Sequence, residues 1–118
     1  MNNNISNIKL IQKEYSVINL VDSNNKDFVI AMVKLFIDIS REFINEVNIA
    51  IIDNNLSQIN QSAHRIKASI DVMVISSLSK VVREIENSNV INDELKDKIN
   101  FITEKLEFVT KQMENDFA

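Results

Sequence analysis

The residues of this chain that could do group-transfer chemistry lie together in one stretch, Ser-Ala-His-Arg-Ile-Lys-Ala-Ser-Ile-Asp-Val, residues 62–72. It holds the single histidine, His64, with Arg65 beside it and Lys67 one helical turn on. An imidazole without perturbing neighbours has a pKa of ~6.5, so its neutral form is an available nucleophile near pH 7. Lys67, at i+3, can place a cation near any anionic group that approaches His64. Arg65 points off that line but adds positive charge locally. Ala68, at i+4, leaves space beside the ring. An exposed nucleophile with a nearby cation and a small neighbour suits the acceptance of a phosphoryl group from another protein. No other motif supplies a base or an oxyanion hole for a hydrolytic triad. There is no Gly-rich loop to cradle the phosphates of ATP.

These side chains need a helix to hold them, and the pattern predicts one over residues 55–73. Leu56, Ile59, Ala63, Ile66, Ile70 and Met73 recur at steps of three and four, an apolar stripe that must face a core. At ~100° per residue His64 falls to one side of that stripe, on a line with Asn60, Lys67, Ala68 and Asp71. The line is polar or small, so the imidazole is expected in solvent. Periodicity by itself favours an ordinary surface histidine, because most exposed polar residues on a helix do nothing chemical.

Composition narrows the remaining choices. The 118 residues fit one domain, and 45% hydrophobic with 25% charged residues is the balance of a globular protein. The chain has no Gly, Pro, Cys or Trp. A β-rich fold without Gly or Pro would struggle to make tight turns, so helices joined by short loops are expected. Without cysteine there is no disulfide, no thiolate chemistry and no soft zinc ligand. The net charge of −4 argues against nucleic-acid binding, which needs a basic surface to displace counterions. It also disfavours an amphipathic protein lying on an anionic membrane. The apolar runs Phe28–Val33 and Val72–Ile75 fall far short of the ~20 residues that span a bilayer. The sequence MNNNISNIKL lacks the apolar centre of a signal peptide. A cytoplasmic protein is expected.

Asparagine does the punctuating here. The clusters Ser23-Asn24-Asn25, Asp53-Asn54-Asn55 and Asn87-Ser88-Asn89 interrupt long periodic segments. Asn tolerates the left-handed conformation at a helix end and caps helix starts, so such clusters suit helix–helix turns. Between them, residues 27–53 carry Phe28, Met32, Leu35, Ile39, Phe43, Val47 and Ala50 as the predicted core stripe. Val29, Val33 and Ile37 lie off it. Residues 76–87 carry Leu78, Val81, Val82 and Ile85, with Ser76 or Ser77 as the expected cap. Residues 92–116 carry Leu95, Ile99, Ile102, Leu106, Val109 and Met113. Residues 13–22, with Tyr15, Ile18 and Val21, are expected to form a short additional helix covering one end, after a flexible segment 1–12. The fold class is therefore all-α, an antiparallel four-helix bundle over residues 13–118. An extended helical dimer competes, since the stripes have coiled-coil spacing, but the asparagine breaks come too often for one.

At this point the sequence resembles the histidine-containing phosphotransfer (HPt) domains of bacterial multistep phosphorelays. The likeness rests on Ala63-His64, Ile66, Lys67, Ala68-Ser69, Leu78 and Ile85-Glu86 at the family's spacings, and it covers roughly residues 13–113. The upstream stretch from Phe28 to His64 looks like the family's long helix, acidic turn and entry to the histidine helix. Two residues depart from the pattern. Ala68 stands where the family has Gly one turn after the histidine, adding one methyl. Val74 replaces a second Gly; a β-branched residue is strained at positive φ, so the turn after the histidine helix is expected to differ. Asp71, two turns from His64, opposes an incoming phosphoryl group with its charge.

The resemblance implies a relay. His64 would take a phosphoryl group through Nε2 from the phosphoaspartate of a response-regulator receiver domain, and pass it to a second receiver aspartate. Lys67 would stabilise phosphoryl charge. Arg65, Ala68, Asn60 and Asp71 would meet the partner. Magnesium would come from the receiver's acidic pocket, leaving this chain with no cofactor of its own. A hybrid sensor kinase is the further expected partner, with no nucleic acid, no membrane, and a monomeric state. An opening at Met1 reads as a free-standing carrier. The competing expectation is a helical docking or scaffold module of the same fold without transfer activity. Such a module would have no physical need for His64 with Lys67.

Overall fold

A computed structural model describes residues 26–117. The flexible segment and short helix expected before residue 23 lie outside the described residues. The described part is all-α, with no strand: α1 (Lys26–Ile52), α2 (Leu56–Val72), α3 (Ser76–Glu86) and α4 (Asp93–Phe117). These bounds fall within a residue or two of those read from the asparagine breaks. Among the described residues no helix is long and apolar enough to cross a membrane.

One core runs between the four helices. α2 packs against α1 and α3, and α4 packs against the same two. Ile59, Ala63, Ile66 and Ile70 of α2 are buried, as are all six predicted stripe residues of α4. Leu78, Val82 and Ile85 of α3 close the same cluster. Each fully buried aliphatic side chain contributes about 1.5–3 kcal/mol over its exposed state.

The stripe expected for α1 is half corrected. Phe43, Val47 and Ala50 are buried, but in the first half Val33, Phe36, Ile37 and Ser40 face the core. Leu35 is half exposed, and Met32 and Ile39 are only partly covered. The first half of α1 is apolar on two faces, so period alone could not tell which one the other helices use.

Both tight turns are built alike. At the end of α1, Asn54 has φ 53°. Its N–H bonds the carbonyl of Ile51, and that of Asn55 bonds the carbonyl of Ala50, the paired pattern of a Schellman cap. The Asn55 side chain then caps α2 by accepting from the Gln58 N–H. At the end of α2 the pattern recurs: Val74 N–H bonds Asp71 and Ile75 N–H bonds Ile70, with Val74 at φ 52°. The turn therefore does not differ from one built on Gly. Val74 is held in the left-handed region because Ile70 and Ile75, on either side of the cap, are both buried. The expected serine cap is also corrected. Ile75 is the N-cap of α3, with no side-chain hydrogen bond, and Ser76 is already helical. Asn92 caps α4 by accepting from the Leu95 N–H.

Candidate functional site

His64 stands on the outward side of α2, with its side chain 68% exposed. Its Nδ1 lies 2.5 Å from Oε2 of Glu86, the last residue of α3. The other oxygen of that carboxylate, Oε1, accepts from Lys67 Nζ at 2.7 Å. One carboxylate thus holds both residues whose spacing suggested chemistry. The Lys67 hydrogen bond, and then that of His64, keep the Glu86 carboxyl below the ordinary glutamate range, against a smaller opposing effect of burial. A carboxylate can only accept, so Nδ1 is the donor. In the neutral ring Nε2 then carries the lone pair, and Nε2 has no hydrogen-bond partner among the described residues. The nitrogen that carries the lone pair is the one left free.

Glu86 reaches this position through the packing of α3. Ile85, beside it, is fully buried, which fixes the helix rotation. Asn60 adds a clamp. Its Nδ2 donates to the carbonyls of Ile85 at 2.9 Å and Ser88 at 3.2 Å, at the end of α3. Asn60, read from sequence as part of the partner surface, is thus half-buried in the α2–α3 seam, next to Glu86.

Asp71 faces the same seam. It accepts from Arg83 Nη2 at 2.6 Å and from Ser79 Oγ at 3.2 Å. The Arg83 hydrogen bond is the main cause holding the Asp71 carboxyl below its ordinary range, and Asp71 in turn raises Arg83. The Asp71 charge is therefore paired with a guanidinium.

Arg65 turns the other way, to α1, where it pairs with Glu46. Glu46 also accepts from Ser62 Oγ at 2.8 Å, and Ser62 accepts from Gln58. Ala68 is exposed and borders a cleft of about 130 Å³ between α1 and α2.

The structure thus gathers His64, Lys67 and Asn60 around Glu86, sets Asp71 one turn along, and directs Arg65 away. The role of Glu86 was missed from sequence. The Ile85-Glu86 pair figured there only in the family resemblance, and adjacency to a buried position does not say that Glu86 reaches His64. Among the described residues no group of three or more His, Cys, Asp or Glu is placed to hold a metal ion. Comparison with family models, with curated proteins and with solved structures finds no match to this chain.

Proposed function

We propose that the chain is a phosphorelay intermediate, an HPt domain that carries a phosphoryl group on His64 between receiver aspartates. The observation that carries this reading is the Glu86 carboxylate shared by His64 Nδ1 and Lys67 Nζ, which leaves Nε2 exposed and nucleophilic. The connections support the matching architecture, an antiparallel four-helix bundle. Three residues join α1 to α2, three join α2 to α3 and six join α3 to α4, lengths that suit antiparallel neighbours.

In the forward step the Nε2 lone pair attacks the phosphorus of a receiver's aspartyl phosphate. The N–P bond forms as the P–O bond to the aspartate breaks, and the carboxylate departs with the bonding electrons. The proton on Nδ1 stays in its hydrogen bond to Glu86, so the positive charge that develops on the ring faces a carboxylate. Lys67 lies on the same side and offsets charge on the phosphoryl oxygens. Magnesium belongs to the receiver's acidic pocket, which supplies most of the transition-state stabilisation. The reverse sequence delivers the group to a second receiver. The partners are response-regulator receiver domains and a hybrid sensor kinase, met in the cytoplasm by a monomeric carrier.

The test mixes the full chain with a receiver domain carrying labelled phosphoaspartate. Label is expected on the wild type, labile to acid and stable to base, and absent from a His64→Gln variant. No label from several charged receivers, with the helices shown by circular dichroism to be folded, would replace the relay reading with that of a docking module.

A further inference from the structure

Asn60, His64, Lys67 and Asp71 recur along α2 at steps of four, three and four, so they form one line on the helix. Each bonds to α3 or to the residues just after it. Asn60 donates to the carbonyls of Ile85 and Ser88, and His64 and Lys67 share Glu86. Asp71 meets Ser79 and Arg83. Residue numbers fall along α2 as they rise along α3, and the contacts run as one polar seam with Glu86 inside it.

The Asp71 end of the seam is closely bonded. Arg83 reaches both oxygens of that carboxylate, Oδ1 from Nη1 at 3.3 Å and Oδ2 from Nη2 at 2.6 Å. Nη1 also donates to the Ser79 carbonyl at 2.8 Å and to its Oγ at 2.9 Å. That hydroxyl in turn donates to Asp71 Oδ1 at 3.2 Å. A lone exposed ion pair fixes little, but a two-pronged guanidinium–carboxylate contact inside a network is directional. Arg83 stands three residues before Glu86, about 4.5 Å along the axis. Burial of Leu78, Val82 and Ile85 fixes which side of α3 faces inward, but apolar contact is non-directional. The bond from His64 Nδ1 to Glu86 spans 2.5 Å, so a slip of about 1 Å between the helices takes it to the limit of a hydrogen bond.

We propose that Asp71 and Arg83 are positioning residues for His64. Tied together with Ser79, they hold α3 at the height where Glu86 meets Nδ1. They thereby keep the proton on Nδ1 and the lone pair on Nε2. Asp71 acts on the ring through α3, not on a partner. The inference rests on the relay reading for its functional meaning, while the held ring is a property of the free chain.

The chain has one histidine, so isotope-labelled histidine in the full chain gives a single imidazole to follow by nitrogen NMR. At a pH where the ring is neutral, the wild type is expected to carry its proton on Nδ1. In Arg83→Ala and in Asp71→Ala the signals are expected to move toward those of a free histidine, whose nitrogens no partner selects. The two side chains are 44% and 40% exposed and alanine suits a helix, so both variants are expected to fold. Arg41→Ala breaks the pair with Glu114 between α1 and α4, and as the control it should leave the ring unchanged. Because the effect passes through Glu86, adding Arg83→Ala to Glu86→Ala should move the ring no further, a non-additivity that general loosening of the fold would not give. An unmoved ring in either folded variant, or a further shift in the double variant, would overturn the proposal. So would slower transfer in Asp71→Ala with the ring unmoved, the mark of a partner contact. A wild type that accepts no phosphoryl group would instead remove the relay reading and leave the ring measurement standing.

Discussion

Nδ1 of His64 and Oε2 of Glu86 meet across the α2–α3 seam at 2.5 Å, although 22 residues separate them in sequence. The contact fixes which ring nitrogen keeps its proton, and it does so from a different helix. The site therefore depends on how α3 is seated as much as on α2.

Replacing Glu86 separates orientation from nucleophilicity. Glu86→Gln keeps the shape and still offers an oxygen to Nδ1, but removes the charge facing the ring. Glu86→Ala removes both. On the relay proposal, transfer to His64 is expected to slow roughly 10- to 100-fold in Glu86→Ala, by analogy with the loss of the partner that orients a metal-bound imidazole. Glu86→Gln should fall in between. Single-turnover transfer from a labelled receiver measures both. Equal rates in wild type and Glu86→Ala would mean that the ring needs no such partner.

The same carboxylate, with Asp71, sets a pH dependence of stability. Both have folded pKa values depressed below their ordinary values of 4.5 and 3.8, Glu86 chiefly by Lys67 and Asp71 chiefly by Arg83. A depressed carboxyl stabilises the fold fully above its unfolded pKa, and that contribution is lost as pH falls through the folded value. Stability should hold from pH 7 down to near 4.5 on this account, then decline with further acid. Both groups touch solvent, so the decline should be modest and weaker at high salt. Urea midpoints across that range, compared with Glu86→Gln, give the test: the variant should lose less than the wild type on acidification.

Val74 gives a third prediction, because it holds φ 52° with a branched side chain. A non-Gly residue in that region costs about 1–2 kcal/mol, while Gly adds back about 0.5–1 kcal/mol of unfolded-state entropy. Val74 is 45% exposed, so little packing is lost on truncation. Val74→Gly should therefore raise stability by about 0.5–1 kcal/mol, read from a denaturant midpoint. Asn54→Gly, at the matching position of the other turn, should change little, since Asn tolerates this conformation.

These residues also show what could be read from the chain alone. The stripes of α2 and α4 were legible because each helix has one apolar face, and one face leaves one choice. The first half of α1 was not, because Leu35 and Phe36 sit side by side on two apolar faces and only packing decides between them. His64 was legible as an exposed histidine beside a cation. Its link to Glu86 was not, since it depends on the rotation of α3, set by the burial of Leu78, Val82 and Ile85. The pairing of Asp71 with Arg83 was hidden for the same reason. Val74 misled for a different one: intrinsic preference argued against positive φ, while two buried isoleucines around the cap enforce it.

Asn60 allows the placing of α3 to be tested without touching a charged group. Its amide donates to Ile85 and Ser88, and so holds the end of α3 where Glu86 begins its reach to His64. Asn60→Ala leaves two carbonyls without that donor and should cost about 1–2 kcal/mol of stability. It should also slow transfer to His64 by a smaller factor than Glu86→Ala, because Glu86 remains but is less firmly aimed. Asn60→Asp should do no better than alanine, since a carboxylate cannot donate to a carbonyl. A role in partner contact would give the opposite pattern, with weaker receiver binding at unchanged stability. Urea midpoints measured beside receiver affinity therefore tell a clamp inside the seam from a residue on the docking face.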